Sequence, residues 1–435
     1  MRYGKLKVGL AIAGTLVGVM GLAIQPAFAD YAPTARDVVG VGADTLQYAI
    51  DFGADGDQLG DPGYNTAGNK YKLVNFDATG DANARLEYGP NGSGTGQCTP
   101  GTGATVGTGN QTTTHADQPC VLNPTIVLRA GTSPVQRPNG GGAGAKALAG
   151  DTNHYITFAS SSSCEGTTTG CPGVLSTAYD SIEIGTDPLA ILSAKTTNAV
   201  PLSAAQLKAI YSCTDTTWTS VGGTSTDTII PIIPPVGAGT RTVFLADIGL
   251  TNVGSCVVVG EQNDPSAIAA QSSPADAIEP MSGSRLDLFQ GLLGNGTSNG
   301  VGGYFKDPSC PLQDLDSGSP AACAAANNTL NPSVQLVTSG SPSDGNALFD
   351  VIRPLYIYFR DSDVNSTTPW QPGGTLNAVR TLFYNPCATG ESGCTTINGI
   401  TYGPGGPPFF ATAAAQADIE AAGITPVYVP EVGGP

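Results

Sequence analysis

Thr228-Ile229-Ile230-Pro231-Ile232-Ile233-Pro234-Pro235-Val236-Gly237-Ala238-Gly239-Thr240-Arg241-Thr242-Val243-Phe244-Leu245-Ala246-Asp247-Ile248-Gly249-Leu250 reads as strand, glycine loop and helix in that order. Ile229 to Ile233 is apolar and β-branched, as a buried strand should be, and the prolines after it mark its end. Gly237 and Gly239 remove Cβ atoms where the backbone must turn and come close to a neighbour. Val243, Phe244 and Ile248 then recur at roughly helical spacing. A helix N-terminus offers unpaired N–H groups and partial positive charge. With Thr240 and Arg241 beside it, this loop is suited to an oxyanion. The plainer reading is an ordinary strand-to-helix turn with a surface arginine.

The chain begins with a basic stretch, Met1 to Lys7, then an apolar run from Val8 to Ile24 and Ala27-Phe28-Ala29 before Asp30. This is the pattern of a secretory signal peptide, expected over residues 1–29. No cysteine precedes Cys98, so no lipid anchor is expected, and no second apolar run is long enough to span a membrane. Removing Arg2, Lys5 and Lys7 moves the formal charge from −17 to −20. Such a surface repels nucleic acid and anionic membranes, so neither is an expected partner.

The ten cysteines suit an exported chain with disulfides. Spacing suggests sequential pairs: Cys98–Cys120, Cys164–Cys171, Cys213–Cys256, Cys310–Cys323 and Cys387–Cys394. No C-x-x-C occurs and the only histidines, His115 and His154, lie in unrelated contexts, which argues against zinc. No metal or other cofactor is expected.

Outward from the opening stretch, strands alternate with helices, the pattern of an α/β fold. Arg36 to Gln47 predicts a strand, a turn and a helix capped near Asp44. Leu73 to Phe76 and Thr125 to Arg129 are further strands. Glu87 to Pro119, rich in Gly, Thr, Ser and Asn, reads as a stapled loop, and its Gly92-Ser93-Gly94-Thr95 lacks a flanking strand or helix. Gly140-Gly141-Gly142-Ala143-Gly144 forms a second glycine loop into a helix. Tyr155 to Ala159 is a strand delivering Ser160 to Ser163 at its carboxyl end, where ligands collect in open α/β sheets. Ser181 to Gly185 and Leu189 to Leu192 read as a strand pair crossing to another domain. Ser203 and Gln206 form a capping box ahead of Leu207, Ile210 and Tyr211. Cys256 to Val259 is a strand, and Asn263-Asp264-Pro265 precedes a helix start. Gly291 to Gly345 is loop-like, and Val351 to Phe359 is a late strand.

Val200 to Tyr211, then Trp218 to Gly223, Ile230 to Ile233 and Gly237 to Arg241 resemble, in order and spacing, the signature of the phosphate-binding proteins of ABC transporters, which have the type II periplasmic-binding-protein fold. Gly42 to Thr45, Gly140 to Gly144 and Ile156 to Ser162 are similar to the family's other anion-contacting segments. The resemblance implies a two-lobed α/β protein: residues 34–186 begin lobe 1, 187–345 form lobe 2, and 346–435 return to lobe 1 with a C-terminal extension. It implies a non-enzymatic, monomeric, secreted or periplasmic solute-binding protein for phosphate or a related oxyanion, with an ABC permease as the implied partner. Its ligand set would be Asp44, Thr45, Gly141, Gly142, Ser160, Ser161, Ser162, Gly237, Ala238, Gly239, Thr240 and Arg241. Three positions depart from the family pattern. Ala238 stands where the family has serine, Pro234 and Pro235 fall near an arginine position, and Ser162 falls near the proton-accepting aspartate.

Two other readings remain at this stage. One is a secreted or cell-surface protein that keeps the fold with a lost or changed ligand. The other is a serine hydrolase using Ser161 or Ser162 with His154, which lacks a G-x-S-x-G elbow and puts both groups at opposite ends of one strand. Asp314-Leu315-Asp316 and Asp361-Ser362-Asp363 do not have EF-hand spacing and read as solvated loops.

Overall fold

The computed structural model describes residues 33–431 except 77–102, 109–110, 120–124, 167–172, 301–333, 365–377 and isolated positions between these. The signal-peptide segment, Gly92 to Thr95, Asp314 to Asp316 and the cysteines at 98, 120, 171, 310 and 323 lie outside the described residues.

Ten strands form one mixed sheet: β1 (Val38–Gly42), β2 (Leu73–Phe76), β3 (Phe158–Ser161), β4 (Tyr179–Ala194), β5 (Ile230–Ile233), β6 (Val258–Val259), β7 (Ala277–Ser282), β8 (Val334–Val337), β9 (Val351–Arg360) and β10 (Thr425–Glu431). Their order is β6-β5-β7-β4-β9-β3-β1-β2, with β8 and β10 also paired to β4. At one end β1 runs parallel to both β2 and β3, and antiparallel β9 joins β3 to β4. At the other, β5 runs parallel to β6 and β7, and β4 itself is the antiparallel neighbour of β7. The same order is therefore built twice, and β4 belongs to both halves. This is a mixed α/β architecture, as the alternating sequence pattern implies.

Side-chain alternation explains why helices cover both faces. Val38 and Leu73 join a core with α1 (Gln47–Asp55) and α6 (Ala413–Ala421), whereas Val39, Val41, Val74 and Phe76 pack on the other face with Leu148 of α2 (Gly141–Gly150). In the second half, Leu207, Ile210 and Tyr211 of α3 (Ala204–Tyr211) meet Trp218 and Phe244 of α4 (Gly239–Asp247). Each fully buried side chain of this kind stabilises by about 1.5–3 kcal/mol. The capping box forms as expected: Gln206 N–H donates to Ser203 Oγ at 3.2 Å and Ser203 N–H to Gln206 Oε1 at 3.0 Å.

Several elements differ from the sequence reading. The expected strand pair around 181–192 is one sixteen-residue strand, because Thr186 and Pro188 hold ladder positions opposite Pro354 and Ile352 instead of turning. The segment read as a stapled loop or flexible insertion before Pro119 contains an antiparallel ribbon of Gly103–Thr108 and Gln111–Pro119. Within the loop-like 291–345 stretch, β8 pairs with β4. Two strands are shorter than expected, at Thr125–Ile126 and Val258–Val259. Cys213–Cys256 and Cys387–Cys394 are disulfides in the sequential order read from spacing, and Cys164 is also disulfide-bonded.

Asp418 of α6 is fully buried, and neither carboxylate oxygen has a hydrogen-bond partner among the described residues. Burial, then the charges of Asp57 and Asp61, push its pKa up to about 8. A carboxyl raised in the folded state contributes stability at low pH that is lost as pH rises through its folded value. Asp418→Asn should therefore raise the melting temperature at pH 9 and change it little at pH 4. Equal effects at both pH values would contradict this.

Candidate functional site

The carboxyl ends of β1, β3, β5 and β7 lead into segments that meet where the two halves of the sheet join. Gly42 has φ +140°, and a Cβ there would lie 2.3 Å from the Ser160 carbonyl. Ala43 N–H donates to that carbonyl at 3.0 Å and to Ser160 Oγ at 2.9 Å, while Gly140 N–H donates to Gly42 O at 3.2 Å. The start of α2 is thus tied to the end of β1. A Cβ on Gly141 would lie 2.2 Å from Ser161 Oγ, and one on Gly140 would lie 2.8 Å from Gly237 O. A Cβ on Gly239 would lie 2.5 Å from Ser162 Oγ. Glycine is required at these positions because three backbones close on one another, and the N-termini of α2 and α4 come to the same place. Both helices are long enough to carry an appreciable dipole, which favours negative charge there.

The hydroxyls at this junction have distinct partners. Ser161 Oγ and Ser163 Oγ donate to Glu165 Oε1 at 2.7 and 2.8 Å. Ser162 Oγ is fully buried and has no hydrogen-bond partner among the described residues. Thr45 Oγ1 accepts from Gln262 Nε2 and Asn263 Nδ2, both at 3.3 Å, and from Arg353 Nη2 at 3.5 Å. Thr240 Oγ1 accepts from Gln262 Nε2 at 3.0 Å and Arg353 Nη1 at 3.1 Å.

Arg353 of β9 also grips Asp187 of β4, with Nε and Nη2 at 2.8 and 2.7 Å from Oδ2. The other Asp187 oxygen accepts from Ser282 Oγ at 2.6 Å and Ser284 N–H at 3.1 Å. Asp44 accepts from Asn263 at 2.8 Å and faces Arg285 at 3.6 Å, so its carboxylate does not supply the helix cap that the sequence suggested. Asn263 is drawn away from the local helix start because its side chain reaches Asp44 and Ser282 N–H.

Arg241 is buried. Its Nη1 donates to Pro234 O at 3.1 Å, and burial lowers its pKa to about 10, leaving it charged at neutral pH. This placement replaces the surface-arginine alternative. Gly142, Gly237 and Ala238 lie in the same backbone junction, Gly142 with its Cβ position 3.6 Å from Gly237 O. His154 pairs with Asp363 at 3.1 Å, whereas Ser161 is held by Glu165; no hydrogen bond joins His154 to either hydrolase-candidate serine among the described residues. Asp363 begins no calcium loop: it lies in the short helix Asp361–Val364 and also faces Arg360 at 3.4 Å. Sequence reasoning missed Glu165, Asp187, Gln262, Ser282, Ser284, Arg285 and Arg353, and read Asn263 only as a helix start. An arginine in the otherwise apolar 351–359 run was the available signal, since a central strand does not bury a guanidinium without partners.

No family model and no curated protein matches the chain. Solved structures similar to it include a putative phosphate ABC transporter substrate-binding protein with bound phosphate from Clostridium perfringens, at 18% identity and TM-score 0.30, covering 51% of this chain and 72% of that one. PstS from Borrelia burgdorferi has 12% identity and TM-score 0.32, covering 74% and 87%. A phosphate-binding protein from Stenotrophomonas maltophilia has 16% identity and TM-score 0.32, covering 65% and 81%. Likeness of this degree does not bear on the ligand, and the site is read from its own geometry.

Burial raises the pKa of Glu165, while its bonds from Ser161 and Ser163 oppose the shift. Its ionisation therefore opposes folding, and the stability it contributes is present below the ordinary glutamate pKa and lost as pH rises through the folded value. Glu165→Gln should flatten that part of the stability–pH curve, with the variant gaining on the wild type between pH 4 and pH 8 in urea titrations. Parallel curves would contradict the assignment.

Proposed function

We propose that the chain is an exported solute-binding protein that captures a small tetrahedral oxyanion, phosphate before others, at the junction of the two sheet halves. The observation that carries this reading is the fully buried, unpartnered hydroxyl of Ser162 at the N-terminus of α4. A buried hydroxyl left without a partner costs about 1–3 kcal/mol, so its retention is explained by a ligand that completes it. The neighbouring N-termini of α2 and α4 favour negative charge in that ligand. An oxyanion offers the acceptors that Ser162 and those N–H groups lack.

Residues 34–186 with the return segment 346–435 form one lobe and 187–345 the other, with β4 and β9 as the connection that flexes. Thr45, the 141–142 turn and Ser160 to Ser162 belong to the first lobe; Gly237 to Arg241 belong to the second. Ligand between them favours closure. The role is binding and delivery, with no chemistry performed on the anion, and an ABC permease is the class of partner that consumes it. The apolar run at residues 8–24 before Ala29 supports export. Among the described residues no helix is long and apolar enough to cross a membrane.

Thermal melts with phosphate, arsenate, sulfate and a phosphonate at matched ionic strength test the proposal. A ligand at one hundred times its Kd stabilises the folded state by about 2.7 kcal/mol, which a melting curve resolves. Ser162→Ala should abolish the phosphate shift while leaving the ligand-free protein as stable as the wild type or more so, because an unsatisfied buried hydroxyl is removed. No shift with any oxyanion would refute the proposal and favour a protein whose ligand is lost or changed. A shift unaltered in Ser162→Ala would move the site elsewhere.

A further inference from the structure

The threonine hydroxyls at the junction contain more information than their presence alone. A hydroxyl has one proton and two lone pairs. Thr240 Oγ1 accepts from Gln262 and Arg353, and Thr45 Oγ1 has three donors within 3.5 Å, from Gln262, Asn263 and Arg353, which compete for its two lone pairs. Neither hydroxyl donates to any acceptor among the described residues. The Arg353 guanidinium can only donate, and it reaches one threonine from each end of the sheet. These two hydroxyls are thereby held as donors.

Resting on the oxyanion reading above, we propose that Arg353 is the positioning cation of the site and Asp187 the internal counter-charge that sets its strength. Arg353 fixes the Thr45 and Thr240 protons toward the ligand. Its charge is offset by Asp187, which is fully buried and holds the guanidinium through two hydrogen bonds. Asp187 is itself anchored by Ser282 Oγ and Ser284 N–H from the start of α5 (Gly283–Gln290), so it does not swing aside. The fixed carboxylate lowers the attraction for any anion and keeps binding reversible. Lysine cannot replace this arginine, because a single ammonium lacks the planar fork that reaches Asp187, Thr45 and Thr240 together.

A structural ion pair and a tuned binding cation predict different signs. If the pair only holds β4 to β9, Asp187→Asn and Arg353→Lys both weaken phosphate binding along with stability. If Arg353 serves the ligand, Asp187→Asn releases its charge and tightens phosphate binding at least fivefold, while Arg353→Lys weakens it at least tenfold. The double variant Asp187→Leu with Arg353→Met removes both charges without orphaning either, and should fold yet bind as weakly as Arg353→Lys. Calorimetric titration of inorganic phosphate into each full-length mature protein, with ligand-free melting temperatures alongside, separates the cases.

Wild-type binding accompanied by loss of affinity in Asp187→Asn, or by wild-type affinity in the double variant, overturns the Arg353 assignment and leaves the oxyanion reading standing. Silence in both the wild type and Asp187→Asn overturns both. A silent wild type with a binding Asp187→Asn supports the counter-charge and shows that the native site takes a different ligand.

Discussion

The two-pronged bond between Arg353 and Asp187 is the interaction on which the centre of this protein depends. Both groups are buried where β4 and β9 run side by side between the halves of the sheet. Either ion alone there would cost several kcal/mol, so each fixes the other. The pair then uses its remaining hydrogen-bonding capacity on Thr45, Thr240, Ser282 and Ser284. The segments that follow β1 and β5 and the end of β7 are thereby tied to β4 and β9 by one buried pair of charges.

Around that pair the backbone is packed too closely for side chains. Gly42, Gly141 and Gly239 sit where a Cβ would meet a serine atom at 2.2 to 2.5 Å. The small residues of the motifs therefore do two jobs. They let the carboxyl ends of β1, β3 and β5 approach, and they turn helix N–H groups toward one point. The acceptor oxygens of an oxyanion would complete the hydrogen bonding of the hydroxyls in this low-dielectric setting.

Much of the fold was legible in the sequence because its signals are local. The apolar run before Pro234 and the capping box at Ser203 and Gln206 appear as the elements they predicted, and the 237–238 turn leads into α4 as expected, whereas in the 140–144 stretch only Gly140 precedes α2 and the other four residues are already helical. The site was legible only in part. Of the candidates, Ser160 to Ser162 stand at the end of β3, Thr45 lies in the turn after β1 and Thr240 in the first turn of α4, positions that a local sequence pattern marks. Asp187, Gln262 and Arg353 come from distant stretches, and their roles follow from sheet order, which no single stretch encodes. Ser181 to Leu192 misled for a related reason: Thr186, Asp187 and Pro188 interrupt the apolar pattern, yet long-range pairing with β9 carries the strand through them.

The central claim is that an oxyanion completes the stranded donors of Thr45, Ser162 and Thr240 at the N-terminus of α4. A crystal structure grown with arsenate, using the anomalous signal of arsenic to locate the anion, tests it most directly. The account predicts one anomalous peak within hydrogen-bonding reach of all three hydroxyls and the Gly239 and Thr240 N–H groups. A peak elsewhere, or none at the junction with Thr45 and Thr240 turned to donate to Gln262 Oε1, would contradict it.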